Sequence, residues 1–370
     1  MKFPPTTGNA AEFLQDGDEV YPAMLAAIAS AAHHVHIESY IVEDDLVGWR
    51  FARALAERAR AGVDVKVMID AIGSYNLGGR WVHYLRSAGC KVTYFNPFRL
   101  FGGGRFFTRN HRKTLTVDNT IGFVGGLNLA IDQVPRPLGG GWHDAAIRVM
   151  GPVIAQLDAV FFREWNRMHK RHMHVRHVPK ALPPPSSAVG VCEVLSNRAF
   201  AQRFAIRRRY LQSIHEAKKN ITIANAYFLP STAVLYALRD AVKRGVKVRL
   251  LLPANVDVPL LKLAQFGYYD RFLRWGFEIY EWPETMLHHK VATFDDAFLS
   301  IGSYNLDRRS LRHNLEISVW LSQSLAVEAA VQALERDIAR SHHRTQAEWT
   351  KRSWRQRIVE ALAFLLREQF

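Results

Sequence analysis

The sequence predicts an α/β protein made of two similar halves. A strand–helix–strand pattern between residues 35 and 70 has the spacing of a parallel βαβ unit. The same order returns between residues 221 and 252. After each unit stands a histidine, a lysine two residues on and an aspartate five further on: His111, Lys113 and Asp118, then His288, Lys290 and Asp295. Two long patterns recurring in one order argue for a duplicated domain rather than two unrelated segments.

In chain order, residues 11–35 read as an entry segment and a helix, with Tyr21, Met24, Leu25 and Ile28 at helical spacing. Residues 35–42 form a buried strand, and residues 48–61 a helix with Phe51, Leu55 and Ala56 on one face. Gly62 ends that helix, and the alternating strand 63–70 follows. In the second half, strand 221–229, helix 233–244, a stop at Gly245 and strand 246–252 repeat the order. The stretch from Arg60 to Val67 even resembles that from Lys243 to Leu250. The halves are expected at 1–168 and 191–340, joined by a linker over 169–190 that contains four histidines and Pro183-Pro184-Pro185. His169, His172, His174 and His177 read as part of a basic, solvated connection, because no carboxylate or cysteine stands near to complete a metal site.

With 370 residues, 48% hydrophobic and 22% charged, the chain has the composition of a globular protein with room for two domains. Lys plus Arg number 49 against 34 Asp plus Glu, a formal charge of +15. Such a balance points to a polyanionic partner, either nucleic acid or an anionic membrane. Cys90 and Cys192 lack metal-ligand spacing and read as reduced structural thiols of a cytosolic protein. The N-terminus has no signal-peptide core, and no run of about 18 apolar residues occurs, so a lipid substrate would be met from the water side.

Chemistry enters with the motifs. Residues i and i+2 of a strand share a face, so His111 projects with Lys113 and His288 with Lys290. Two imidazoles can divide nucleophile and general-acid work, while two ammonium groups hold an anionic phosphoryl centre. Each motif leads into a strand and a glycine turn ending in asparagine: Gly125-Gly126-Leu127-Asn128 and Gly302-Ser303-Tyr304-Asn305. Glycine permits close backbone approach to a ligand, and both asparagine amides can donate to phosphate oxygens. A catalytic imidazole needs an acceptor on its second nitrogen. One carboxylate follows each motif at comparable range, Asp144 and Glu316, and these are the candidate orienters.

The paired motifs with their glycine–asparagine tails resemble the phospholipase D superfamily. Glu38-Ser39-Tyr40, Phe95-Asn96-Pro97, Asn225-Ala226-Tyr227 and Asn305-Leu306-Asp307-Arg308-Arg309-Ser310 narrow the likeness to bacterial cardiolipin synthases, over roughly residues 12–340. The shorter branch, without an N-terminal transmembrane pair, is the nearer one. The resemblance implies two phospholipase D-like domains, each a mixed, mostly parallel central sheet between helices, with one active site at a pseudo-twofold interface. It implies phosphatidyl transfer from phosphatidylglycerol through a phosphohistidine, with neither metal nor organic cofactor. The implied acceptor is a second phosphatidylglycerol, with phosphatidylethanolamine or another alcohol as the alternatives. By analogy His111 is the nucleophile and His288 the acid and base. Lys113, Lys290, Asn128 and Asn305 bind phosphate oxygens, and Ser303 adds a hydroxyl. Asp118 and Asp295 belong to the motif but are expected to brace it. His289 occupies a position of which the pattern asks nothing. The implied location is the cytoplasmic face of the bacterial inner membrane, as a peripheral protein.

Three segments are candidates for lipid contact. The loop 98–107 is aromatic, basic and glycine-rich; residues 258–269 read as a helix against the core with some lipid exposure. Residues 341–370 read as a basic amphipathic helix with Trp354, Ile358, Leu362 and Leu365 at helical spacing. The competing functions are a phospholipase D-type hydrolase of lipid or nucleic acid and a noncatalytic lipid-binding protein. Synthase-like stretches weigh against a nuclease, and two intact motifs against a decayed site.

Overall fold

The computed structural model describes residues 3–97, 108–169, 190–197 and 204–365. The first half comprises β1 (Thr6–Gln15), α1 (Asp16–Ala29), β2 (His34–Ser39), α2 (Leu46–Arg60), β3 (Asp64–Asp70), α3 (Gly79–Ser87) and β4 (Lys91–Phe95). It continues with β5 (Arg109–Asn110), β6 (Thr114–Val117), β7 (Ile121–Gly125), β8 (Ala145–Met150) and α4 (Val153–Met168). The second half begins with β9 (Gly190–Asn197), α5 (Ala205–Glu216), β10 (Asn220–Asn225), α6 (Thr232–Lys243), β11 (Lys247–Asn255) and α7 (Pro259–Arg274). It goes on through β12 (Glu278–Met286), β13 (Lys290–Phe294), β14 (Phe298–Gly302), α8 (Arg308–Arg312), β15 (Asn314–Ser322) and α9 (Leu325–Arg340). The chain then runs through β16 (His342–Arg344), α10 (Gln346–Thr350) and α11 (Trp354–Leu365).

Both βαβ units form where expected. Their helices begin and end for local reasons. Asp45 caps α2 by accepting from the Gly48 N–H at 2.8 Å, and Gly62 takes a left-handed φ of +92° beyond its end. Gly245, at +88°, does the same after α6. The strand order shows the duplication: β4-β3-β2-β6-β7-β8-β1 on one side is mirrored by β12-β11-β10-β13-β14-β15-β9 on the other, and β1 pairs with β9 at the centre. The entry segment read before the first helix is therefore part of a strand, β1, in the middle of the sheet.

The sheet is mixed, but the expectation of mostly parallel pairing is corrected. Among the described residues, parallel pairing between strands is limited to β2-β3-β4, β10-β11-β12 and the short β5–β15 contact, with two isolated parallel bridges besides. Everything from β6 to β1 and from β13 to β9 is antiparallel. The reason is connection length. Helical crossovers join the parallel strands, whereas tight turns join β6 to β7 and β13 to β14. Asp118 and Asn119 hold φ of 49° and 54° in the first turn, and Asp295 and Asp296 hold 53° and 54° in the second. Such consecutive left-handed residues suit Asn and Asp and match the twist of a hairpin.

These turns also account for the motif aspartates. Asp118 accepts from the backbone N–H groups of Ala32, His33 and His34 at 2.7–2.9 Å. Asp295 accepts likewise from Lys218, Lys219 and Asn220. Each carboxylate clamps the entry to the neighbouring strand, at the end of the hairpin remote from the histidine. Burial works against the charge of Asp118, but the three N–H donors outweigh it and hold its carboxyl below the usual range.

Each half has its own core, the first around Phe51, Leu55 and Trp81, the second around Phe228, Tyr269 and Phe272. A third cluster, with Val124, Ile147 and Val149 beside Val194, Ile301 and Ile317, belongs to both halves. That shared core fixes the two motif hairpins relative to one another.

Two further expectations concern the edges. Residues 258–269 lie largely in α7 as predicted. The expected single C-terminal helix is instead β16, α10 and α11, because β16 first pairs with β12. The loop 98–107 and residues 170–189 of the linker lie outside the described residues.

Candidate active site

Backbone pairing brings the two motifs together. Just before His111, strand β5 pairs in parallel with Asn314 and Leu315 of β15, and the His111 N–H donates to the Leu315 carbonyl at 3.0 Å. The mirrored contact joins His143 to Leu287; the His288 N–H donates to the His143 carbonyl at 2.7 Å. Each histidine thus enters the site beside the other half's acid-bearing strand.

The carboxylates are consequently exchanged between halves. His111 Nδ1 lies 3.1 Å from the carboxylate of Glu316, and His288 Nδ1 lies 2.6 Å from Asp144 Oδ2. A carboxylate can only accept here, so both Nδ1 atoms carry hydrogen and both Nε2 atoms keep their lone pairs. Glu316 and Asp144, the candidate orienters, each meet the histidine of the opposite half.

The two carboxylates are held differently. Glu316 also accepts from the hydroxyls of Ser303 and Ser310 and from the Asn314 amide at 3.2 Å. Ser303, expected to help bind phosphate, therefore spends its proton on Glu316. Its counterpart in the first half is Gly126, and a Cβ there would meet the Asp144 carboxylate at 2.3 Å. Gly126 is the room in which Asp144 sits. Burial pushes Glu316 up, but His111, Lys113 and Ser303 outweigh it and hold the acid below its ordinary value. Burial raises Asp144, with Lys290 opposing.

Lys113 and Lys290 are buried beneath the histidines. Lys113 Nζ donates to the His111 carbonyl at 2.7 Å, and Lys290 Nζ donates to the His288 carbonyl. Burial and then the repulsion of Lys290 bring Lys113 down to about 7. Burial brings Lys290 to about 8 against the pull of Asp144 and Glu316. Burial also lowers both histidines, His288 well below its usual value with Lys290 and Lys113 adding to the effect. Neutral imidazoles over crowded ammonium groups form a site that gains charge stability from an anion.

Asn128 and Asn305 are both buried beside the glycine turns. Asn128 Oδ1 accepts from the Ile41 N–H at 3.2 Å, which turns its NH2 the other way. The motif aspartates Asp118 and Asp295 are outside the site, as braces.

Several participants escaped the sequence reading. Arg112 is fully buried and crosses to the second half, donating to the carbonyls of Glu316 at 3.3 Å and Asn197 at 3.1 Å. Glu38 accepts from Asn110 at 2.9 Å, and Asp70 accepts from the Asn110 N–H at 2.8 Å, so together they position the residue before His111. Tyr40 packs edge-on against His111, Trp142 lies 5.1 Å from His288, and Tyr227 stands beyond it. Glu38, Tyr40 and Tyr227 lie in stretches that carry the family resemblance and the rest adjoin motif or strand-end residues, but no spacing rule gave any of them a role.

Comparison with known proteins agrees with this geometry. Residues 24–165 and 210–340 match the family described as cardiolipin synthase, PLD-like domain. The chain belongs to the cardiolipin synthase family. It is 31% identical to a cardiolipin synthase of Geobacillus kaustophilus over 98% of this chain and 73% of that protein. It is 35% identical to cardiolipin synthase B of Salmonella typhi over 84% of this chain and 76% of that one. Among solved structures, phosphatidylserine synthase of Haemophilus influenzae superposes with a TM-score of 0.70 over 97% of this chain and 95% of its own, at 13% identity. That last likeness concerns the fold alone.

Two measurements probe the site. Sulfate has no proton of its own to exchange near neutrality, so binding at pH 7.5 should draw protons onto Lys113 and Lys290, whose values of about 7 and 8 an adjacent anion must raise. Calorimetry in buffers of differing ionisation enthalpy should show net proton uptake that fades below pH 6; zero uptake at pH 7.5 contradicts the depressed lysines. Asp144→Asn and Gly126→Ala, which perturb the same carboxylate, should each lower turnover by on the order of 10²–10⁴ with the fold retained by circular dichroism. Near-normal turnover of either would remove Asp144 from the role of orienter.

Proposed function

We propose that the protein is a phosphatidyltransferase that makes cardiolipin from phosphatidylglycerol. The observation that carries this reading is the crossed pair of carboxylate-held imidazoles above two buried ammonium groups. His111 Nε2 attacks the phosphorus of phosphatidylglycerol, and the bond to the head-group glycerol breaks. His288, protonated when the anionic phosphodiester offsets Lys113 and Lys290, gives its proton to the leaving glycerol. The phosphohistidine on His111 is then attacked by the hydroxyl of a second phosphatidylglycerol. That hydroxyl's proton returns to His288, His111 is released, and the products are cardiolipin and glycerol.

The unequal carboxylates support this division of labour. Glu316, held ionised by three further donors, suits the partner of a histidine that becomes cationic when phosphorylated. Asp144, raised by burial, suits a histidine that passes a proton back and forth. Lys113, Lys290 and the amides of Asn128 and Asn305 bind the phosphate oxygens. Tyr40, Trp142 and Tyr227 give the mouth an aromatic lining that favours a lipid alcohol over water.

The protein works from the membrane surface, on the cytoplasmic face in our reading. Among the described residues no helix is long and apolar enough to cross a membrane. Helix α11 supplies a surface contact. Its Ala363 joins the second-half core and Phe364 meets the Tyr268 ring at 4.8 Å. Docked by that side, the helix leaves Trp354, Ile358, Leu362 and Leu365 exposed, with exposed Lys351, Arg355 and Arg357 nearby. An apolar row with basic flanks suits an anionic bilayer.

Phosphatidylglycerol vesicles should yield cardiolipin and glycerol in equal amounts, and His111→Ala or His288→Ala should abolish both. Phosphatidic acid as the product would mean a hydrolase, and cleavage of plasmid DNA without lipid turnover would mean a nuclease. Acid-labile lipid label trapped on His288 instead of His111 reverses the assignment of nucleophile. For the surface contact, Ile358→Asp with Leu362→Asp should weaken sedimentation with phosphatidylglycerol vesicles by on the order of ten-fold. Unchanged sedimentation would exclude α11 as the contact.

A further inference from the structure

Directly behind the active site, between Asp144 and His288 and the solvent, lies a second cluster: His143, His289, Asp337 and Asp16. Its ligand-capable atoms on His143, His289 and Asp337 all lie within 4.8 Å of one another, and all three residues are buried. His143 is the neighbour of Asp144, and His289 the neighbour of His288. His143 and Asp16 come from the first half, His289 and Asp337 from the second.

The hydrogen bonding of this cluster is incomplete in a specific way. Asp16 accepts from His143 Nδ1 at 2.8 Å, which leaves Nε2 as the atom that can turn to a ligand. That Nε2 lies 3.1 Å from Asp337 Oδ2, so without a metal His143 is a cation held between two carboxylates, which lift it to about 10 against the effect of burial. His289, 0% exposed, has no partner on either ring nitrogen. An imidazole lone pair and a carboxylate oxygen facing each other repel unless a cation joins them. A proton on His143 Nε2 would relieve that contact but leave His289 with two unpaired buried nitrogens, which is costly. A metal ion engages all three groups at once.

We propose that His143 Nε2, one ring nitrogen of His289 and Asp337 form a divalent transition-metal site, with zinc the fitting ion. Two imidazoles and a carboxylate are zinc ligands, and neighbouring ligands of a tetrahedral zinc stand about 3.3 Å apart, close to the His143–Asp337 separation. Asp16 then acts as the carboxylate that fixes the tautomer and orientation of a metal-bound histidine. The open cleft lined by Gln15, Asp16, Asp18, Glu19, Arg336 and Asp337 reaches His143 and provides the entry path and a fourth ligand, water. The other histidine–aspartate group, His34, His36 and Asp158, makes a weaker demand, since His36 Nδ1 and the Thr116 hydroxyl already engage Asp158 and His34 is only half-buried. A metal at His143 would tie the two halves together beside the catalytic pair and take no part in phosphatidyl transfer. The proposal is independent of which lipid is made.

The test uses the full chain, stripped with a chelator and reloaded. One zinc per chain should survive gel filtration and raise the unfolding temperature. Cobalt in its place should give the intense visible absorption of a four-coordinate nitrogen–oxygen site. His289→Leu keeps the buried volume while removing a ligand, and Asp337→Asn keeps the shape. Either variant, folded by circular dichroism, should lose the cobalt band and the thermal shift. Replacing His172, His174 and His177 together by alanine should leave both intact. No retained metal in the wild-type chain would assign the cluster to a proton or a buried water and overturn the proposal. Retention unaffected by His289→Leu and Asp337→Asn, or lost with the linker histidines, would place the metal elsewhere and overturn it equally.

Discussion

The exchange of carboxylates between halves is the constraint on which the rest of the structure depends. Glu316 holds His111 and Asp144 holds His288, so neither motif histidine takes its carboxylate from its own half. The β5–β15 pairing, the His143–Leu287 bridge and the buried Arg112 all serve this exchange by fixing one half's backbone against the other's. Since a buried hydrogen bond to a charged group weakens steeply with distance and angle, the shared apolar core has to be rigid for both pairs to form. The central β1–β9 pair and the third core cluster provide that rigidity.

The same arrangement concentrates charge that burial disfavours. Lys113 and Lys290 are driven to about 7 and 8 because water is excluded around both. Asp144 and Glu316 compensate part of this, but the resting site remains short of anionic charge near its centre. A phosphodiester supplies it. In the proposed reaction binding and activation are then one event, because the anion that restores the ammonium groups also favours a proton on His288.

The repeat is close in backbone and unequal in detail. Where the second half has Ser303 to fasten a longer Glu316, the first has Gly126 to admit a shorter Asp144. One step in side-chain length is offset by one step in the turn, and the two carboxylates emerge with pKa values displaced in opposite directions. A duplicated fold can thereby carry two different proton tasks at one site.

Much was legible in the residues themselves. Hydrophobic periodicity and glycine stops located both βαβ units, since these are local consequences of side-chain period and backbone freedom. The histidine–lysine spacing marked the candidate site, although His111 and Lys113 lie between β5 and β6 and His288 precedes β13, so the shared strand face expected of them does not form. Asp144 and Glu316 were legible as acids trailing each motif. Sequence distance could not say which histidine each would serve, because pairing partners 144 and 205 residues apart are chosen by packing alone. For the same reason β1 passed for an entry segment: its partners β8 and β9 lie more than a hundred residues away. The antiparallel share of the sheet followed from turns whose left-handed residues a periodicity reading does not register. His289, a residue of which the motif asks nothing, acquired meaning only beside His143 and Asp337. The sequence by itself determined two repeats, their strands and their reactive groups, because those depend on neighbours along the chain. The tertiary structure alone decided which acid faces which imidazole and which polar groups are buried without partners, because both depend on where the two halves meet.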